Sequence, residues 1–144
     1  MKIRSIVYIS EETHPFREED IIRLLQSARN RNDHYKITGL LIYNDGLFCQ
    51  MFEGPPNAVE MIYKIICNDP QHKILNVLRD EQTDNRVFDN WEMAFKNISA
   101  SNLTPSNIPN ITNDRQQAFN LSENNRLIAT MLQNLLKNLK ENYY

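Results

Sequence analysis

The sequence contains few of the residues that build covalent or metal-bound frameworks. It has two cysteines, Cys49 and Cys67, and three histidines among 144 residues. A disulfide scaffold or a structural zinc site needs several such residues at short spacings, so the composition argues against both. The two cysteines are instead typical of reduced thiols in or near a protein core.

Charge of one sign and long apolar runs are scarce as well. The chain carries 16 Lys and Arg against 18 Asp and Glu, a formal net charge of -2, which disfavours direct binding of nucleic acid. No run approaches the roughly 20 apolar residues of a membrane span, and the N-terminus lacks the apolar stretch of a signal peptide. We therefore predict a cytoplasmic protein with one core, acting without a membrane.

Glycine is also rare, and its three copies all fall within residues 39–54. Asp45-Gly46 in this stretch predicts a tight hairpin, because these residues accept a positive φ at low cost. Apolar residues at i, i+3, i+4 and i+7 predict a helix that starts near Arg17 and a second one around residues 59–66. Runs rich in β-branched and aromatic residues predict strands over 2–10, 37–43, 47–53, 74–78 and 91–95.

The predicted order is β-α-β-β-α-β-β, an α+β fold of the ferredoxin-like type. We expect a five-stranded sheet with two helices on one face, formed by a domain of residues 1–97. Residues 98–144 contain Pro105 and Pro109 and are predicted to be a linker followed by a C-terminal helical extension. The apolar stripe of that helix, from Ile128 to Leu139, could fold back on the open face of the sheet or mediate dimerisation or partner docking.

Three polar side chains stand in predicted core surroundings. Tyr8 lies among aliphatic residues of the first strand, Asn32 follows the first helical stripe, and Gln50 lies in the middle of the third strand. A carboxamide in an apolar strand is costly unless it is hydrogen-bonded, so Gln50 must have a partner. Considered alone, Tyr8 could be an ordinary core tyrosine, Asn32 a helix-end residue and Gln50 an exposed glutamine at a sheet edge.

Several separated segments, taken together, resemble the BLUF family, the sensors of blue light using flavin. The resemblance covers roughly residues 2–97 and is specific because the segments occur in one order at matching spacings. The matching segments are Ile6 to Ser10, Asn32 with Ile37-Thr38-Gly39, Gly46 to Gly54, Asp69 to His72, and Phe88, Asn90, Trp91 and Met93.

The resemblance implies a flavin between the two helices, held over the sheet. The family's FAD is the expected cofactor, with FMN and riboflavin as alternatives. It further implies that Tyr8 donates an electron and a proton after excitation and that Gln50 then rearranges its hydrogen bonds. Trp91 and Met93 would relay this change, although both could simply fill core space. The implied cofactor-binding residues are Tyr8, Leu24, Leu25, Arg31, Asn32, Gln50, Ile66, Asp69 and His72.

Two positions depart from the family pattern. Ile65 and Gln71 stand where family members often have basic residues, which leaves recognition of the cofactor's phosphates in doubt. Nearby basic residues such as Arg31 could replace them or could be ordinary solvated charges. Asp69 and His72 could equally be residues that end a helix, whereas Cys49 should point away from the Gln50 face.

The resemblance is to short BLUF proteins without a catalytic effector domain. We therefore expect a homo-oligomer that is not an enzyme and that signals to a separate protein partner or through its oligomeric state. Two alternatives stay open: a small acylphosphatase-like hydrolase on the same fold, and a flavin-binding module that has lost its photoactivity. The arginine-asparagine anion site of such a hydrolase is not visible in the sequence.

Overall fold

A computed structural model of the chain describes residues 2–88 and 93–97. Seven elements follow one another in these ranges: β1 (Ile3–Glu12), α1 (Glu18–Tyr35), β2 (Thr38–Asn44), β3 (Leu47–Gly54), α2 (Pro56–Asn68), β4 (His72–Thr83) and β5 (Ala94–Asn97). The predicted linker and C-terminal helix, residues 98–144, lie outside the described residues. None of the described helices is long and apolar enough to cross a membrane.

The strands form one sheet in the order β4-β1-β3-β2-β5. The β1-β3, β1-β4 and β2-β3 pairs are antiparallel, and β5 adds to β2 in parallel. The α+β class, the antiparallel sheet and the two helices are thus confirmed. Of the five predicted strands, four form the antiparallel part of the sheet, and the fifth is only the short parallel segment β5 beside β2.

The fifth strand also lies later in the chain than the predicted 91–95. Met93 precedes β5, and its carbonyl accepts a hydrogen bond from Nε of Arg29 at 2.9 Å, so this part of the backbone is bonded to a helix side chain. Two other predicted elements were too short. The polar run after residue 28 forms the last turns of α1, and the charged strand β4 extends to Thr83 because it pairs with β1 along its length.

The two faces of the sheet carry separate apolar clusters. Both helices pack on the first face, where Ile21 and Leu25 of α1 and Val59, Ile62 and Ile66 of α2 meet side chains of β1, β2 and β3. The prediction that both helices cover one face is therefore confirmed. The second face holds another buried set, Val7, Ile9, Leu40, Ile42, Leu47, Cys49, Met51 and Phe88.

The hairpin between β2 and β3 keeps the residues of the two strands in register. Asp45 and Gly46 form its turn with φ of 42° and 93°, as the Asp-Gly pair predicted. Because side chains alternate along a strand, this turn decides which residues of β3 face the helices. Gln50 lies on the helix face, while Cys49 lies in the second-face cluster, as expected.

Candidate functional site

A cavity of about 260 Å³ lies over the first face of the sheet, lined by residues of both helices. Its floor comes from three adjacent strands, because Tyr8 of β1 and Leu41 of β2 are both register partners of Gln50 in β3. Antiparallel register therefore places one phenol and one carboxamide side by side in the same floor. The remaining lining residues are Phe16, Arg23, Leu24, Ser27, Ala28, Arg31, Phe48, Ile65, Ile66, Asp69, Gln71, His72 and Met93.

The phenol of Tyr8 donates a hydrogen bond to Oε1 of Gln50. Both residues are buried, with 3% of Tyr8 and 7% of Gln50 exposed. Burial raises the pKa of Tyr8 far above its ordinary value, because an apolar environment disfavours the phenolate. Tyr8 therefore stays protonated at any physiological pH and remains a hydrogen-bond donor to Gln50.

The other end of the Gln50 carboxamide has a weaker partner. Nε2 of Gln50 donates to the thioether Sδ of Met93 at 3.6 Å. A carboxamide nitrogen carries two N–H donors, and a thioether is a poor acceptor, so this nitrogen retains capacity for a better one. A carbonyl on the edge of a ligand ring in the cavity would be such an acceptor.

The cavity has an apolar wall and a polar rim. Leu24 and Ala28 of α1 face the cavity one turn apart, and Ile66 of α2 also lines it. The rim includes Arg31 and Asp69, whose charges attract each other, while burial lowers the pKa of Arg31. This combination suits a flat apolar ring with a polar edge.

His72 has both ring nitrogens engaged by the protein. Nε2 lies 2.8 Å from the carbonyl oxygen of Ile66, and Nδ1 lies 2.8 Å from Oγ of Ser10. Because a carbonyl only accepts, Nε2 donates to Ile66, and Nδ1 shares a hydrogen bond with the Ser10 hydroxyl. His72 thus joins the end of α2 to β1, and its ring lies 6.2 Å from that of Tyr8.

The structure brings most of the predicted cofactor-binding residues to the cavity, but not all. Tyr8, Leu24, Arg31, Gln50, Ile66, Asp69 and His72 line it, together with the predicted relay residue Met93. Leu25 is fully buried in the core, and Asn32 is a buried residue of α1 outside the lining. Asn32 is not the residue after the helix that was predicted, because α1 continues to Tyr35. Trp91 lies outside the described residues.

Some lining residues were missed by the sequence reasoning. Phe48 precedes Gln50 by two positions, and Leu41 is its partner across the hairpin, so strand alternation and the turn were the signals that could have identified them. Arg23 and Ser27 precede Arg31 by eight and four residues, the helical spacing that places side chains on one face. Phe16 comes from the loop before α1, where no periodic signal exists.

The chemistry of the lining fits a flavin and offers no metal site. Among residues 2–88 and 93–97, no group of three or more His, Cys, Asp or Glu side chains could hold a metal ion. A flavin, in contrast, matches the apolar wall and the spare donor of Gln50. Tyr8 would lie beside it as an oxidisable ring whose hydroxyl is already hydrogen-bonded.

Comparisons with known proteins point the same way. The model of the BLUF family, described as sensors of blue-light using FAD, matches residues 3–94. Photoactivated adenylate cyclase subunit beta of Euglena gracilis is 34% identical over 86 residues, which are 60% of this chain and 10% of that protein. The blue light- and temperature-regulated antirepressor BluF of Escherichia coli (strain K12) is 34% identical over 79 residues, 54% of this chain and 20% of that protein.

Among solved structures, the dark-state structure of BlrB, a BLUF protein, has a TM-score of 0.65 and 25% identity. That match covers 91% of this chain and 95% of the BlrB chain. The chain spans only a small part of the two curated relatives, so their whole-protein activities do not carry over. The family match over more than half of the chain nevertheless establishes the family: this protein belongs to BLUF, the sensors of blue light using FAD.

Proposed function

We propose that Tyr8 and Gln50 are the photoactive pair of this blue-light sensor. The single observation that supports this proposal is the hydrogen bond from the Tyr8 phenol to Oε1 of Gln50, made in the cavity between α1 and α2. When bound there, a flavin supplies absorption of blue light and a strongly oxidising excited state. The protein supplies an electron donor, a proton path and an amide with two distinct ends.

In the light, Tyr8 would give an electron to the bound flavin, and its phenolic proton would leave along the existing hydrogen bond to Oε1 of Gln50. Return of the electron and the proton restores the phenol, so nothing is consumed. Loss of the hydrogen bond to Tyr8 allows the Gln50 carboxamide to rotate or tautomerise before that bond forms again. One net hydrogen bond contributes only about 0.5–1.5 kcal/mol, so two amide arrangements can lie close in free energy, as a switch requires.

The cofactor is FAD, with FMN and riboflavin as the alternatives to be compared. Leu24, Ile66 and Gln50 would contact the ring, and Arg31 at the rim supplies a positive charge for a phosphate. The negative charge of Asp69 at the same rim would repel a phosphate. The preference among the three flavins therefore depends on the distance between Arg31 and the phosphate. His72 would contribute its ring surface, since both of its nitrogens are bonded to the protein.

We base a proposal for signal output on membership of the BLUF family. We infer that residues 1–97 are the sensor domain and that residues 98–144 form a linker and helix that transmit its state. The domain acts as a cytoplasmic sensor without catalysing a reaction, and it signals to a protein partner or through a homo-oligomer. The antirepressor relative from Escherichia coli supports output through a partner.

The experiment that tests the proposal is absorption spectroscopy of the purified, flavin-loaded chain before and after blue light. We expect a small red shift of the flavin band that reverses in darkness. Gln50→Leu keeps the flavin and loses the shift, whereas Gln26→Leu, a change on the exposed side of α1, keeps both. Flavin binding without any shift in the unmodified chain would support a silent flavin module and overturn the proposal.

Light scattering coupled to size-exclusion chromatography tests the output. We expect a homo-oligomer whose size or partner binding differs between darkness and light. An unchanged monomer with no light-dependent partner would contradict this part of the proposal while leaving the photochemistry intact.

A further inference from the structure

Glu53 is a fully buried carboxylate on the strand that carries Gln50. It lies three positions after Gln50, so strand alternation directs its side chain to the opposite face of the sheet. Its Oε1 accepts hydrogen bonds from the backbone N–H groups of Val87, at 2.6 Å, and Phe88, at 2.7 Å. A buried carboxylate is costly unless it has such partners, so this side chain holds a specific piece of backbone in place.

Arg86 ties the same piece of backbone to the ends of β2 and β3. One terminal guanidinium nitrogen donates to Oγ1 of Thr38 at 3.0 Å and to the carbonyl of Glu53 at 3.1 Å. The other donates to the carbonyl of Lys36 at 2.6 Å. The segment Arg86–Phe88 is therefore anchored from both directions, by the Glu53 carboxylate and by the Arg86 guanidinium.

This anchored segment leads to the photoactive pair after a short stretch of chain. Phe88 belongs to the second-face cluster, whereas Met93 belongs to the first-face cluster and accepts the Nε2 bond of Gln50. Phe88 and Met93 belong to clusters on opposite faces of the sheet, and five residue steps can span at most about 17 Å. The position of Phe88 therefore limits the positions that Met93 can occupy.

The contact with Met93 distinguishes the two ends of the Gln50 amide. In the arrangement of the structure, an N–H faces the sulfur and Oε1 faces Tyr8. A rotated amide would direct its oxygen at the sulfur, which places two acceptors against each other. Met93 in this position thus favours the present arrangement over the rotated one.

We propose that Glu53 is a positioning residue for the photocycle: by holding the N–H groups of Val87 and Phe88, it acts together with the bond from Arg29 to the Met93 carbonyl to keep Met93 against Gln50. Loosening this anchor weakens the preference for the present amide arrangement and prolongs the light-induced state. The inference depends on the proposed function, because it assigns a residue to the switch of Gln50.

The test compares dark-recovery rates of flavin-loaded variants after a blue-light pulse. Glu53→Leu removes the acceptor, and we expect recovery at least about threefold slower, the effect of losing roughly one weak hydrogen bond. Glu53→Gln retains a carbonyl oxygen for both N–H groups, so it should recover within about twofold of the unmodified rate. Leu47→Ala, at the opposite end of β3 on the same face, controls for general destabilisation and should also recover normally.

A second variant keeps the inference testable if Glu53→Leu fails to fold. Arg86→Met removes the guanidinium from a partly exposed position, and we expect slower recovery with an unchanged dark spectrum. Normal recovery in Arg86→Met, or slowing by Leu47→Ala equal to that by Glu53→Leu, would overturn the inference. Absence of any light-induced shift in the unmodified chain would instead contradict the proposed function.

Discussion

Replacing Tyr8 by phenylalanine isolates the hydroxyl on which the proposed photochemistry depends. The ring keeps its shape, so no cavity forms, and the only loss is the donor to Oε1 of Gln50. That oxygen belongs to a residue only 7% exposed and would be left without this donor. An unsatisfied buried acceptor costs about 1–3 kcal/mol, so we expect the free energy of unfolding of the Tyr8→Phe variant to fall by that amount.

A second tyrosine on the same face provides the control. Tyr43 is 2% exposed, and its hydroxyl lies 3.1 and 3.2 Å from the two carboxylate oxygens of Glu12, outside the cavity lining. Removing a hydrogen bond to a charged group costs about 1.5–3 kcal/mol, so Tyr43→Phe should destabilise the protein as much as Tyr8→Phe does.

The assay joins urea unfolding with light-minus-dark absorption spectra of both flavin-loaded variants. Tyr8→Phe should bind flavin and lose the reversible red shift, whereas Tyr43→Phe should keep it. A persistent shift in Tyr8→Phe would refute the role of the phenol. Equal loss of the shift in both variants would show that general destabilisation, not the missing hydroxyl, abolishes the response.

Three further predictions concern the cavity wall, the thiols and a buried carboxyl. Ala28→Leu overpacks the wall at a cost of about 1–3 kcal/mol, so titration should show flavin affinity reduced roughly 5- to 150-fold, while Gln26→Leu, on the exposed side of α1 outside the lining, should have little effect. Burial raises the pKa of Cys49 to about 12, so mass spectrometry after alkylation at pH 8 should find only the exposed Cys67 modified; a labelled Cys49 in folded protein would contradict its packing. Burial also raises the pKa of Glu53, so the folded state binds the carboxyl proton more tightly than the unfolded state does. The stability gained from this tighter binding is lost as pH rises from the ordinary glutamate pKa through the raised one. Thermal melts should therefore show the melting temperature of the unmodified chain falling relative to that of Glu53→Gln across that pH range. A constant difference between the two melting temperatures would contradict the shift.

Local sequence patterns predicted the features of the fold that depend on residues close together in the chain. The Asp-Gly turn and the alternation of β3 placed Gln50 and Cys49 on opposite faces, as observed. The β-α-β-β-α-β-β order predicted both helices on one face of the sheet, and the apolar stripes predicted which side of each helix is buried. Tyr8 and Gln50 could be paired only through the family resemblance, because their register depends on residues 42 positions apart in sequence.

The features that were missed depend on contacts distant in sequence. The alternating apolar segment 91–95 was predicted to be a strand, but Met93 precedes β5 and its backbone is bonded to the Arg29 side chain. The charged strand β4 has no apolar alternation, and only pairing with β1 reveals its full length. Glu53 was a detectable signal, since an acidic residue in an apolar strand needs partners, but nothing local identified the N–H groups of Val87 and Phe88 as those partners.

The most direct test of the central claim is the difference spectrum of the purified, flavin-loaded chain before and after a blue-light pulse. A red shift of the flavin band that decays in darkness, present in the unmodified chain and absent in Tyr8→Phe and Gln50→Leu, is the predicted result. A bound flavin whose spectrum does not respond to light, or responds equally in all three proteins, would contradict the account.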